Sequence, residues 1–347
     1  MIRILQVGCP VLECRSMEPG IAEWRVIGHD YAVSVLQHAL STGEPSHAYL
    51  ITGPSGIGKT TLALEFAATL FCESQERRPC GVCRGCRRVA AGSHSGLHVV
   101  ESASPGANLK IEEIRTLQHQ LALTPAEGSW RVAIFQRFEE ATAAAANALL
   151  KSLEEPPGYA IMMVLARDVE SLLPTIVSRC QLIPLCPQPV GVIQHALMHK
   201  WGATPEKAAI LARLADGRLG WAVQALQDPI ALERRARRLD DLDRLLTASI
   251  TDRFDYAVEL ARDVDEAQET LGCWLTWWRD VLLCSAGDDS LLANIDRRTD
   301  LYSYARSFGI RDSATLIDAL RNASERIQRN ANLRLVLEVL MLDLAES

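Results

Sequence analysis

One stretch limits what this chain can fold into more than any other: Gly53-Pro54-Ser55-Gly56-Ile57-Gly58-Lys59-Thr60. It fits G-x-x-x-x-G-K-[ST], the phosphate-binding loop. Glycines let the backbone turn tightly enough for its N–H groups to face inward onto phosphate oxygens. Lys59 brings an ammonium to the β- and γ-phosphates, and Thr60 offers a hydroxyl to Mg²⁺. Such a loop works only between a strand that delivers it and a helix that leaves it. Both are legible. His47 to Thr52 (HAYLIT) reads as a buried strand. Thr60 to Phe71 then sets Leu62, Ala63, Phe66, Ala67 and Leu70 on one helical stripe. The positive end of that helix adds to the pull on an anion.

A second cluster follows at once. Cys72, Cys80, Cys83 and Cys86 have the spacing C-x7-C-x2-C-x2-C, which lets four thiolates surround one ion, with Zn²⁺ the usual occupant. Arg77, Arg78, Arg84, Arg87 and Arg88 lie among them. They offset thiolate charge in a structural knuckle, or they contact nucleic acid. The other six of the ten cysteines are scattered, so the pattern is that of a reducing cytoplasm and not of a disulfide scaffold.

The rest of the chain alternates, then stops alternating. Trp24 to Gly28 leads into an amphipathic helix over about His29 to Ser41. Strands are expected at Leu97 to Glu101, Trp130 to Phe135, Ala160 to Leu165 and Gln181 to Leu185. Helices are expected between them at Lys110 to Leu121 and Thr142 to Glu155, the second stopped by Pro156-Pro157. Strands alternating with helices predict a parallel sheet covered on both faces. Beyond about Gly191 the strand pattern ends. Val192 to Leu226 reads as a small helical bundle with Gly217 and Gly220 between helices, and Ile230 to Ser347 is helical throughout. Trp274, Trp277 and Trp278 share one helix and read as core or subunit contact. A net charge of −7 argues against a surface that holds DNA unaided, and no apolar run is long enough for a membrane span. Residues 1–20 lack the parts of a signal peptide and read as a loose extension, with Met17 a candidate start.

The order of these stretches resembles the bacterial DNA polymerase III clamp-loader subunits of the AAA+ superfamily, the delta-prime and gamma/tau type. The carriers are VIGHDYAV, SHAYLITGPSGIGKTTLA, the four cysteines, AAAANALLKSLEEPP, PTIVSRCQ and NANLRLVLEVLML. The resemblance implies an α/β AAA+ nucleotide-binding domain with a parallel sheet over residues 21–188, with the zinc knuckle at 72–86 inside it. It further implies a helical lid over 189–229 and an all-α C-terminal collar over 230–347, through which subunits assemble. The implied nucleotide site comprises Gly53, Pro54, Ser55, Gly56, Ile57, Gly58, Lys59, Thr60 and Thr61 with Val26 and Ile27, and takes ATP or ADP with Mg²⁺. The implied partners are delta and gamma/tau subunits in a hetero-pentameric ring, the sliding clamp, and primer–template DNA through the complex, with no membrane.

Departures from the family pattern bear on the subunit type. The Asp-Glu pair of an active member falls on Gln136, which cannot supply the anionic second shell of Mg²⁺, and Arg137, which cannot act as base for the attacking water. Glu139 and Glu140 lie three residues further on. The polar residue that senses the γ-phosphate aligns with Ala166, and the lid arginine aligns with Gly220, near Arg218. The SRC arginine, Arg179, is kept; in the family it reaches a neighbouring subunit's ATP. A degraded site with an exported finger implies a non-hydrolysing, delta-prime-like role. An active gamma/tau-like ATPase is the alternative, favoured by Gly58-Lys59-Thr60 and opposed by Gln136, Arg137 and an end at Ser347 without a long tail. A small-molecule kinase lacks any visible acceptor site.

Overall fold

The computed structural model describes residues 24–103, 106–122, 130–329 and 331–344. The reading of residues 1–20, with Cys9 and Cys14, lies outside them.

Five strands form one parallel sheet in the order β2-β3-β4-β1-β5: β1 Ala48–Thr52, β2 Leu97–Val100, β3 Arg131–Phe135, β4 Ala160–Ala166 and β5 Gln181–Pro184. The register sets Thr52 beside Ala166 and beside Pro184, so the strands end level at the C-terminal edge of the sheet. The three inner strands are buried along their whole length, as their unbroken apolar runs require when both faces are covered. The edge strands are short and partly open.

Strand alternation divides the core in two. Tyr49, Ile51 and Met163 face helices α1 (Asp30–Ser41) and α2 (Lys59–Leu70). Ala48, Leu50, Met162 and Val164 face α4 (Ile111–Ala122) and α5 (Ala143–Glu154). Between α2 and β2 a short α3 (Arg84–Ala90) carries the last cysteine. Expected boundaries shift by a residue where local chemistry decides. His29 is left-handed with φ 59°, so α1 starts one residue later than its apolar pattern. The Thr142 hydroxyl accepts from the Ala145 amide and caps α5. A four-residue α6 (Pro174–Val177) precedes β5 and starts on its proline.

The chain divides into two compact units. One runs to Val192 and takes back Gly217–Trp221; the other holds Ile193–Asp216 and continues from Ala222. The helices here are α7 (Val190–Trp201), α8 (Pro205–Leu214) and α9 (Leu219–Gln227). Gly217 lies between helices, as expected, but Gly220 is already the second residue of α9.

The second unit holds α10 (Ala231–Thr247), α11 (Ile250–Leu260), α12 (Val264–Ala286), α13 (Arg298–Gln328) and α14 (Leu333–Asp343). Trp274, Trp277 and Trp278 are core residues of this unit. The Trp274 indole donates to Arg238 O at 2.7 Å, while Trp278 meets Phe308 edge to face. Buried Arg253 donates to the carbonyls of Leu245 and Leu246 at 2.8 and 3.0 Å, satisfying the end of α10. Gly309 breaks the helical path of α13 at φ 67°, ψ −175°. Among the described residues no helix is long and apolar enough to cross a membrane.

Candidate functional site

The phosphate loop leaves the C-terminal end of β1, where β4 and β5 flank it. Gly53, Gly56 and Gly58 have φ of 148°, 77° and 119°, values that glycine alone adopts without strain. The Gly53 amide donates to the carbonyls of Ala166 and Arg167 at 3.2 and 3.0 Å, which ties the loop to the end of β4. Ile57 is buried beneath the loop and Ser55 is exposed on it. Lys59 turns its ammonium back onto the carbonyls of Gly53 and Pro54, the latter at 3.1 Å. Burial pushes the Lys59 pKa down, the Glu139 carboxylate opposes that, and Arg167 adds to it. The cradle therefore fits a phosphate group, with Lys59 aligned along it and the α2 N-terminus behind it. Thr61 follows on α2 with an exposed side chain.

The magnesium side is built differently. The Thr60 hydroxyl donates to Gln136 Oε1 at 3.4 Å, so a neutral amide stands where a carboxylate would hold a cation's water. Arg137 is left-handed at φ 46° and turns to Glu140 at 3.0 Å and to Ser102 O at 3.1 Å. Glu140 is consumed in this cluster. Burial would raise its pKa, but the Ser102 hydroxyl, the Gly106 amide and Arg137 together hold it below the usual carboxylate range. Glu139 accepts from the Arg167 amide at 3.3 Å. Arg167, which no motif marks, touches the loop through its backbone and exposes its side chain.

Two contacts from distant parts of the chain support the loop. The Gly220 amide donates to Gly56 O at 2.8 Å, and a Cβ at Gly220 would stand 2.7 Å from that oxygen. A side chain at the expected arginine position has no room here. The glycine lets the first turn of α9 sit directly on the loop, with Arg218 over the Trp221 ring at 5.7 Å. On the other side, His29 Nε2 meets Ile57 O at 3.1 Å and Gln188 Nε2 meets His29 Nδ1 at 3.1 Å. A neutral imidazole with its proton on Nε2 satisfies both, consistent with burial lowering the His29 pKa. Val26 and Ile27 precede this histidine and are half-buried, Val26 against the α1–α2 core. No composition or spacing rule flags Gly220 or His29; only the contact does.

Arg179 lies outside the loop, just past α6. Its Nη2 pairs with Glu154 Oε1 at 2.8 Å, and its Nη1 donates to Thr175 O at 2.9 Å and Ser178 Oγ at 3.3 Å.

The four cysteine sulfurs all lie within 4.8 Å of one another. A tetrahedral zinc with Zn–S bonds of about 2.3 Å needs sulfurs about 3.8 Å apart, so the set fits that ion after small adjustments. The amides of Cys80, Cys83 and Cys86 donate to the sulfurs of Cys72, Cys80 and Cys83 at 3.3, 3.3 and 3.4 Å. Donors of this kind favour thiolates: the Val82 and Cys83 amides pull Cys80 down to about 6. Burial pushes Cys72 and Cys86 up. Zinc would supply the missing charge compensation and close the knuckle. The knuckle is seated on α2: a Cβ at Gly85 would stand 2.1 Å from Phe71 O.

The parallel sheet, the glycine loop at its C-terminal edge and the helix that follows define an α/β module of the phosphate-loop class. Residues 28–189 match the family described as DNA polymerase III, delta subunit. The delta' subunit of Bacillus subtilis is 29% identical over 317 residues, which cover 90% of this chain and 95% of that protein. The tau subunit of Salmonella typhimurium is 34% identical over 59% of this chain, which spans only 33% of tau. A gamma-subunit-related protein of Thermotoga maritima aligns over 92% of this chain and 98% of its own, with TM-score 0.45 and 19% identity. By these matches the chain is similar to the delta-prime and tau subunits of DNA polymerase III.

Proposed function

We propose that this chain is a delta-prime-like subunit of the clamp loader, one that does not itself hydrolyse nucleotide and that gives Arg179 to the ATP of a neighbouring subunit. One observation carries the reading: Thr60 is bonded to a neutral Gln136 where magnesium chemistry needs a carboxylate, with Arg137 turned away into the Glu140 cluster. The cradle then binds ATP or ADP weakly and the metal poorly. In this reading residues 21–188, 189–229 and 230–347 act as nucleotide domain, lid and collar. The collar joins delta and gamma/tau subunits in the cytoplasm in a five-membered ring that places the sliding clamp on primer–template DNA. The zinc knuckle is structural.

The test is ATP turnover at two levels. The isolated chain should show none above background; turnover abolished by Lys59→Ala would instead support the active gamma/tau-like reading, which the retained Lys59 and Thr60 favour. In a reconstituted loader, Arg179→Ala should lower DNA- and clamp-stimulated hydrolysis by about tenfold or more while assembly, checked by size, is unchanged. Arg179→Lys should restore little, because an ammonium lacks the planar fork. Equal rates from fully assembled wild-type and Arg179→Ala loaders would end the trans-finger role.

A further inference from the structure

The Arg179 guanidinium does not project from the surface. Three acceptors hold it: the Glu154 carboxylate at 2.8 Å, Thr175 O at 2.9 Å and Ser178 Oγ at 3.3 Å. Two of them belong to the turn that Arg179 itself follows, so the side chain is folded back along α6. The third comes from the end of α5. That carboxylate is oddly placed. Helix C-termini favour cations, because the last carbonyls carry partial negative charge. Yet α5 ends on Glu154, with Glu155 as its cap and Lys151 in the same last turn. The cation paired with Glu154 comes from outside the helix, and it is Arg179.

We infer that Glu154 is a latch for the finger: it holds Arg179 folded back until a neighbour's phosphate takes the guanidinium away. The inference rests on the trans-finger reading of Arg179 given above. The chemistry is an exchange of one anion for another. The side chains of Arg179 and Glu154 are 35% and 52% exposed, so water reaches the pair and the contact is weak enough to give up. A γ-phosphate carries more charge than one carboxylate and accepts the guanidinium fork equally well. With no phosphate presented at the right distance, the carboxylate keeps the arginine, and hydrolysis in the neighbouring site stays low. Glu154 touches no nucleotide in this scheme. It acts through Arg179.

The experiment compares reconstituted loaders that carry wild-type chain, Glu154→Gln, Glu155→Gln, Arg179→Ala or the Glu154→Gln/Arg179→Ala double variant. Glutamine keeps the size and loses the charge; Glu155→Gln removes an equal charge from the same helix end and leaves the pair intact. Resting ATPase, without DNA or clamp, should rise about two- to fivefold with Glu154→Gln, the range that an exposed pair can supply. The stimulated rate should not change. The rise should be absent in Glu155→Gln and in the double variant. On the isolated chain, phenylglyoxal should label Arg179 faster in Glu154→Gln, read by peptide mass. Glu154→Gln identical to wild type in both resting rate and labelling overturns the latch and leaves the finger standing. A fall in the stimulated rate with Glu154→Gln also overturns it, since Glu154 would then support the working pose. If Arg179→Ala alone changes nothing, the finger reading fails and the latch as a control of hydrolysis falls with it; faster labelling would locate the failure in the finger and not in the ion pair.

Discussion

Gln136 is the residue on which the candidate site turns. Its amide oxygen accepts from Thr60 at 3.4 Å, and that same hydroxyl is the one a phosphate loop offers to magnesium. A neutral amide oxygen attracts a divalent cation and orients its waters far less strongly than a carboxylate does. Gln136→Glu places a carboxylate at the same point with one atom exchanged. It should make nucleotide binding by the isolated chain stronger in magnesium than in EDTA, whereas the wild type should show little difference. It should not create turnover, because Arg137 stays turned into the Glu140 cluster and no base faces an attacking water. Calorimetry with ATP, with and without magnesium, measures the first part; phosphate release measures the second. Magnesium-independent affinity in Gln136→Glu would show that the hydroxyl–amide contact is not what weakens the site.

Among the elements, α3 and its cysteines behave as one unit seated on α2. Gly85 lies so close to the end of α2 that a methyl group would fall 2.1 Å from Phe71 O, a backbone atom that cannot step aside. Phe71 in turn stacks on His94 at 4.0 Å, which anchors the chain on the far side of α3. Gly85→Ala should therefore lift the knuckle from α2 and cost about 1–3 kcal/mol, as overpacking does. Freshly reduced protein should carry about one zinc per chain by metal analysis, and Cys83→Ser should lose it together with thermal stability. Full zinc content and an unchanged melting temperature in Gly85→Ala would mean that the knuckle hangs free of the helix. A zinc-free reduced wild type would mean that these thiols serve something else.

At the scale of the whole molecule, acid should find the charged contacts before the cores. Glu266 is held below the usual carboxylate range chiefly by its hydrogen bond from Arg238, with burial opposing. Glu140 is held low in the other unit. A depressed folded pKa contributes stability that is complete above the unfolded value, about 4.3 for glutamate, and lost as the pH falls through the folded value. Stability should thus be level near neutrality and fall below about pH 4. Arg238→Gln removes the cause of the Glu266 shift. Urea midpoints followed from about pH 6 to pH 3 should then fall less steeply for the variant than for the wild type. A parallel fall in both would assign the acid sensitivity to other groups.

Elements whose cause is local or periodic are legible in the residues alone. Gly53 to Thr60 announced the loop, because its backbone angles and its ligand chemistry both depend on residue type at fixed spacing. Unbroken apolar runs such as Ala160 to Leu165 announced inner strands, and a stripe every three to four residues announced the helices on either side. Cys72, Cys80, Cys83 and Cys86 announced their own cluster in the same way, since their ligand geometry is written in their spacing. Helix ends shifted by a residue where a cap or a left-handed His29 decided them. Which distant groups meet depends on the fold. Gly220 reaches Gly56 across more than a hundred residues of chain, Gln188 reaches His29, and Glu154 reaches Arg179. Nothing in residue type predicts those pairs. Each depends on how separate helices and loops pack, and a hydrogen bond forms only over the last ångström of that approach.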